Sequence, residues 1–323
     1  MLDRRNALTG LASGLALAAI GIHARASTVK TPVDFEVPSG SCDCHVHIIG
    51  DAARYPFVAD RVYTPPAAST DMLTELHRAL KMDRVVLVQP SFYGTDNACM
   101  LDALRRIGSR ARAVAVVDKA VPGSVLEEMK ASGVRGVRIN LETSGQSDAA
   151  AAKANVEETV ARVAPLGWHI QIYTRPSVIV ALADGLAALP VPVVFDHFGG
   201  LKAALGPTQA GYDVVVGLVK SGHAYVKISG AYRLSDNPPY YSDITPLAQA
   251  LVAANPDRIV WGSDWPHTNP VRRPVAEITP PADIDDGLLL DQLVKWVPDA
   301  GLRRKILVDN PARLYGFTPA QPT

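Results

Sequence analysis

The chain of 323 residues is 48% hydrophobic and 20% charged, so it can bury a full core and shows no signature of disorder. Lysine plus arginine and aspartate plus glutamate both total 32, which gives a formal net charge of zero. Because no basic tract is present to follow a phosphate backbone, we do not expect nucleic acid as a partner.

The first 26 residues have the pattern of an export signal. Arg4 and Arg5 directly precede a weakly apolar stretch at 7–22, and the Ala-Arg-Ala at 24–26 fits a signal cleavage site. The stretch is too short and too rich in glycine for a stable membrane span. We therefore predict a twin-arginine (Tat) signal, a periplasmic location and no membrane span after cleavage; an amphipathic tail is the alternative.

The rest of the chain, residues 37–317, alternates strand-like and helix-like patterns. The first predicted strand carries the motif at 43–47, and seven more follow at 84–89, 112–117, 134–141, 169–173, 191–195, 224–228 and 258–261. Eight strands that alternate with helices predict one parallel (β/α)8 barrel of the TIM type. Its chemistry should lie at the carboxyl ends of the strands.

The first strand carries the motif Asp-Cys-His-Val-His at 43–47. Side chains alternate between the two faces of a strand, which predicts that Asp43, His45 and His47 share one face. The same alternation predicts that Cys42 and Cys44 face the helical layer. Both imidazoles can then converge on one point.

The carboxyl ends of the later strands offer further ionisable groups. Asp264 stands where the last strand breaks into a proline-containing loop, a poor place for a residue that serves only packing. Arg138 and Arg233 follow the fourth and seventh strands, and their planar cations suit a substrate carboxylate, although salt bridges among loops explain either one alone equally well. The motif at 43–47 and the group around Asp264 each place ionisable residues at a strand end, and together they predict a hydrolase.

Several ordered motifs together resemble the amidohydrolase superfamily. They lie at 43–47, 55–57, 88–91, 136–140, 195–199 and 261–267. The set is most similar to the branch of pyrone dicarboxylate hydrolases, sulfomuconolactone hydrolases and sugar lactonases, and the resemblance spans residues 37–317. It implies the same barrel and the opening of a cyclic ester.

The resemblance also implies roles for individual residues. Asp264 would be the general base for the attacking water, and His45, His47 and His197 would polarise the lactone carbonyl. The positions implied to line the substrate site are Tyr63, Ser91, Arg138, Tyr173, Arg233, His267 and Asn269.

The same resemblance bears on metal. Arg138 and Tyr173 stand near the places where binuclear relatives keep ligands, so two ions are not expected. One divalent ion, zinc by ligand type, held by His45, His47, His197 and Asp264 is chemically reasonable. The resemblance to the pyrone hydrolases instead implies a site that needs no metal, and we expect this second arrangement.

Taken together, these features predict a hydrolase whose partner is a small-molecule substrate, a carboxylated lactone that it opens. They leave the oligomeric state open. A zinc-dependent decarboxylase of an aromatic or muconate-type acid on the same fold is the nearest alternative. A periplasmic ligand-binding protein without catalysis is the second. Release of CO2 or tight binding without turnover would distinguish them.

Overall fold

A computed structural model describes residues 29–318. Its eight strands are β1 Cys42–Val46, β2 Arg84–Val88, β3 Ala111–Ala115, β4 Val134–Asn140, β5 His169–Tyr173, β6 Val193–Phe195, β7 Ala224–Ser229 and β8 Ile259–Gly262. Its α-helices are α1 Thr70–Leu80, α2 Ala98–Ile107, α3 Gly123–Ser132, α4 Leu141–Ser144, α5 Ala149–Val163, α6 Pro176–Ala187, α7 Tyr212–Lys220, α8 Thr245–Ala254, α9 Asp286–Trp296, α10 Ala300–Arg304 and α11 Asn310–Tyr315.

The strands form one parallel sheet in the order β1 to β8, and its two edges meet. The backbone amide of Asp264 donates to the carbonyl of His45 at 2.9 Å, and the amide of His47 donates to the carbonyl of Trp265 at 2.8 Å. The predicted (β/α)8 barrel is confirmed. No helix within residues 29–318 is long and apolar enough to cross a membrane, and the predicted signal at 1–26 lies outside the described residues.

Two buried apolar layers hold the barrel together. The larger layer lies between strands and helices, where Val85 and Leu87 of β2 pack with helical residues such as Leu73 and Leu76. The smaller layer fills the barrel interior and is closed by Tyr315 and Phe317 from the end of the chain. Burial of apolar surface in both layers is the main force that fixes the strand ends.

The prediction that Cys42 and Cys44 face the helices is wrong. Both thiols belong to the interior layer, together with Val86 and Val88. The register between β1 and β2 shifts between Asp43 and Val46, so strict alternation fails there. This bulge allows Cys44 and His45 to lie inside the barrel although they are neighbours in sequence.

Asp43 consequently does not share a face with the two histidines. Its Oδ1 accepts from the backbone amide of Ser263 at 2.9 Å, and its Oδ2 lies 3.4 Å from Nε2 of His77 on α1. Asp43 therefore ties β1 to the residue after β8 and to the helical layer. Asp43 thereby holds in position the strand that carries the two histidines.

Candidate active site

A small cavity lies at the carboxyl ends of the strands. Its volume is about 20 Å³, room for about one water molecule. Most residues that the sequence predicted for the site line it: His47, Tyr63, Ser91, Arg138, Tyr173, His197, Arg233 and Asp264. His45 is fully buried nearby, with its Nε2 3.7 Å from Oδ1 of Asp264.

Asp264 uses its two carboxylate oxygens differently. Oδ2 accepts from the Tyr232 hydroxyl at 2.7 Å and from Nε of Arg233 at 2.5 Å. Oδ1 is buried and has no hydrogen-bond partner within residues 29–318. Burial raises the pKa of this carboxyl, but Arg233 and the neighbouring histidines outweigh burial and hold the pKa well below its usual value. Asp264 is therefore an anion with one oxygen open to a proton donor.

His45 and His47 direct their Nε2 atoms toward that oxygen, at 3.7 and 3.9 Å. His47 donates from Nδ1 to the Val88 carbonyl at 2.7 Å, and His45 faces Oδ1 of Asp196 from its Nδ1 at 3.2 Å. Burial lowers the pKa of His47 to about 4 and that of His45 well below its usual value. Both rings are therefore neutral at pH 7. The proton on Nδ1 of His47 leaves its Nε2 as an acceptor, whereas Nδ1 of His45 also lies 3.4 Å from Nζ of Lys227, so the proton of His45 can reside on either ring nitrogen.

His197, which follows β6, can carry its proton on either ring nitrogen. Nδ1 of His197 lies 2.9 Å from the Ser229 hydroxyl, which can donate as well as accept, so Nε2 of the neutral ring can carry the proton. Burial lowers the pKa of His197 to about 4. Its Nε2 lies 3.8 Å from Oδ2 of Asp264. His197 is thus placed to donate a hydrogen bond to a substrate oxygen.

The side chains of His45, His47 and Asp264 also fit one divalent cation. The ligand atoms of His45, His47 and Asp264 all lie within 4.8 Å of one another, and Nε2 of His45 and Oδ1 of Asp264 are buried without a hydrogen-bond partner in the described chain. Two imidazole nitrogens and one carboxylate oxygen are a common zinc ligand set. His197 belongs instead to a second group, with His45 and Asp196.

A buried network below the cavity was missed by the sequence reasoning. Asp196 accepts from Nε of Arg138 at 3.1 Å and from the Gln171 amide at 3.1 Å. Nζ of Lys227 donates to Oε1 of Gln171 at 2.7 Å and lies 3.6 Å from Oδ1 of Asp196. The available signal was a lysine in the middle of the apolar strand β7, since a buried lysine needs partners.

Two residues implied for the substrate site lie elsewhere. His267 is fully buried, and its Nε2 lies 3.0 Å from Oδ1 of Asp286 on α9. Asn269 is exposed and does not line the cavity, whereas its neighbours Thr268 and Pro270 do. The backbone takes positive φ angles of 66° at Asp264 and 60° at His267, which turns the His267 ring away from the cavity.

Comparison with known proteins matches residues 42–317 to the amidohydrolase family. The chain belongs to this family. It is 35% identical over 290 residues to a 4-sulfomuconolactone hydrolase of Rhizobium radiobacter, an alignment that covers 89% of this chain and 93% of that protein. It is 36% identical over 290 residues to a 2-pyrone-4,6-dicarboxylate hydrolase of Comamonas testosteroni, with 87% and 92% covered.

A solved structure of an amidohydrolase relative has the same fold. The probable 2-pyrone-4,6-dicarboxylic acid hydrolase of Acinetobacter baumannii, crystallised with citric acid, superposes with a TM-score of 0.72 and 28% identity. The match covers 86% of this chain and all of that one. This amidohydrolase is therefore an enzyme, as the motifs predicted, and the named relatives share hydrolysis of a cyclic ester.

Proposed function

We propose that this amidohydrolase opens a lactone that carries a carboxylate, and that Asp264 is the general base for the attacking water. The observation that carries the proposal is the open, buried Oδ1 of Asp264 beside the Nε2 lone pair of His47. A water in the cavity can donate one proton toward Oδ1 and the other toward Nε2 of His47. Its own lone pair is then directed at an incoming carbonyl carbon.

The reaction needs no group beyond water and the lactone. The water oxygen bonds to the carbonyl carbon while one water proton passes to Asp264. Nε2–H of His197 stabilises the developing oxyanion, a contribution of roughly 3 kcal/mol for one well-placed donor. The ring C–O bond then breaks, and the proton held by Asp264 passes to the ring oxygen.

The charge at the cavity favours an anionic substrate. Three largely buried cations, Arg138, Lys227 and Arg233, face two buried carboxylates, Asp196 and Asp264. The histidines are neutral, so the cations exceed the anions by one, and a single carboxylate on the substrate balances the excess. Arg138 and Arg233 line the cavity and are the groups placed to bind it.

Arg138→Met tests this anchor. We expect kcat/KM for a carboxylated lactone to fall roughly 10- to 100-fold, because a charge-assisted contact is lost. The rate with an uncharged lactone should change far less. Arg272→Met, at an exposed position of the loop after β8, is the matched control. Equal losses with charged and uncharged lactones would show that Arg138 is structural.

If a divalent ion binds, His45, His47 and Asp264 would hold it, and it would lower the pKa of a bound water and polarise the carbonyl. The excess of buried cations opposes a further double positive charge at the same place. We therefore expect rates to be unchanged after treatment with a strong chelator, with less than stoichiometric zinc in active protein. Activity that is lost with zinc and restored by it would instead assign these three side chains as ligands.

The two alternatives remain distinguishable by experiment. A decarboxylase would release CO2 from an aromatic or muconate-type acid, and a binding protein would show no turnover. An open base at a cavity with room for about one water favours hydrolysis over either. The periplasm is the proposed compartment on the basis of the twin arginine at Arg4 and Arg5.

A further inference from the structure

A second, larger cavity adjoins the first at the ends of β3 and β4. Its volume is about 570 Å³, and it shares Ser91, Arg138 and Asn140 with the small cavity. We call this cavity the side pocket. Because the three shared residues connect it to the reacting atoms, a substituent on a lactone bound in the small cavity can extend into it.

The walls of the side pocket are uncharged apart from Arg138 at its inner end. Val116, Val117 and Leu141 contribute apolar surface. The wall formed by α5 and the loop before it is polar and neutral, with Gln146, Asn155 and Thr159. Among residues 29–318, no lysine, histidine or further arginine lines the pocket.

The polar wall has hydrogen-bonding capacity left for a ligand. The Thr159 hydroxyl lies 3.3 Å from Oδ1 of Asn155 and donates to it. The side-chain amide nitrogen (Nδ2) of Asn155 has no hydrogen-bond partner among residues 29–318, and the side chains of Asn155 and Thr159 are half-buried. An uncharged hydroxyl or amide can bond here at little cost in desolvation.

An anionic substituent would bind less favourably in this pocket than an uncharged one. Arg138 already binds Asp196 through Nε at 3.1 Å and is the proposed partner of the substrate carboxylate. The nearby acid Glu142 pairs with Arg175 on the other side, 3.2 Å apart, and neither lines the side pocket. A second carboxylate would lose water without gaining a cation.

We infer that the side pocket is a subsite for an uncharged, hydrogen-bonding substituent, so that the substrate is a lactone with one carboxylate and one neutral arm. This inference rests on the proposed lactone hydrolysis. The two are tested separately, because binding of the probes tests the subsite and turnover tests the proposed function. The probes are 2-pyrone-4,6-dicarboxylate and its two monoamides, which have nearly the same shape and differ in charge.

Binding is measured by calorimetry with the unmodified enzyme and the corresponding 2-pyridone lactams, which lack the ester bond, because Asp264→Asn would itself remove a buried negative charge and favour the dicarboxylate. We expect one monoamide to bind at least about tenfold more tightly than the dicarboxylate. Asn155→Lys in the otherwise unmodified enzyme should reverse this preference, because it supplies the missing cation. Ala154→Lys, at the adjacent exposed position outside the pocket, should keep it. Thr159→Lys replaces Asn155→Lys if that variant does not fold.

Each outcome decides a different claim. Equal binding, tighter binding of the dicarboxylate, or no binding of any probe overturns the subsite. A monoamide preference in binding without hydrolysis of any lactone by the unmodified enzyme overturns the proposed function alone. Hydrolysis of all three probes without preference overturns the subsite alone.

Discussion

Asp264→Asn is expected to lower kcat for a carboxylated lactone on the order of a thousandfold, with the fold intact. The amide keeps the volume and can still accept from Tyr232 and Arg233, which bind Oδ2 in the native protein. It cannot take a proton from water at the position of Oδ1. Steady-state kinetics and thermal unfolding of the same preparation measure the two effects.

The matched control for this variant is Asp236→Asn. Asp236 is exposed and lies in the segment that follows β7, so the same chemical change there should leave kcat unchanged. If Asp264→Asn keeps activity within a few-fold of the unmodified enzyme, Asp264 is not the base. Its ion pair with Arg233 would then be structural.

Lys227→Met is expected to produce the largest loss of stability. The ammonium is fully buried and donates to the Cys44 carbonyl at 2.9 Å and to Gln171 at 2.7 Å, beside Asp196. Removing one partner of a buried ion pair leaves the other charge uncompensated, which costs about 3 to 5 kcal/mol of unfolding free energy. Denaturant unfolding measures this loss.

Two comparison variants isolate the cause. Lys220→Met, an exposed lysine at the end of α7, should change the free energy of unfolding by less than about 0.5 kcal/mol. Lys227→Met combined with Asp196→Asn should lose less than the sum of the two single losses, because both members of the Lys227–Asp196 pair are removed together, although Arg138 also loses its carboxylate. Additive losses would mean that Lys227 and Asp196 do not stabilise each other.

The barrel could be predicted because its signal is repeated along the chain. Each strand is a short apolar run followed by a helical pattern, and the observed strand limits differ from the predicted ones by at most two residues, as at β3, which ends at Ala115 rather than Val117. The predicted strand ends also placed Asp264, Arg138 and His197 correctly together at one end of the barrel. Parallel topology alone brings such ends together.

The features that could not be predicted depend on local backbone geometry or on partners distant in sequence. The bulge in β1 separates Asp43 from His45, and no residue type in the motif signals it. The two positive φ angles after β8 turn His267 toward Asp286. The imidazole tautomers depend on the Val88 carbonyl, on Asp196 and on Lys227, groups that only the folded barrel brings to them.

The most direct test of water-driven lactone opening is turnover in water enriched in ¹⁸O, followed by mass spectrometry of the product. The enzyme is given a panel of carboxylated lactones, with and without chelator. We expect a ring-opened acid that has gained one water, with one ¹⁸O in the new carboxylate, and no CO2. Release of CO2, an isomer without label, or no turnover of any lactone in the panel would contradict the proposal.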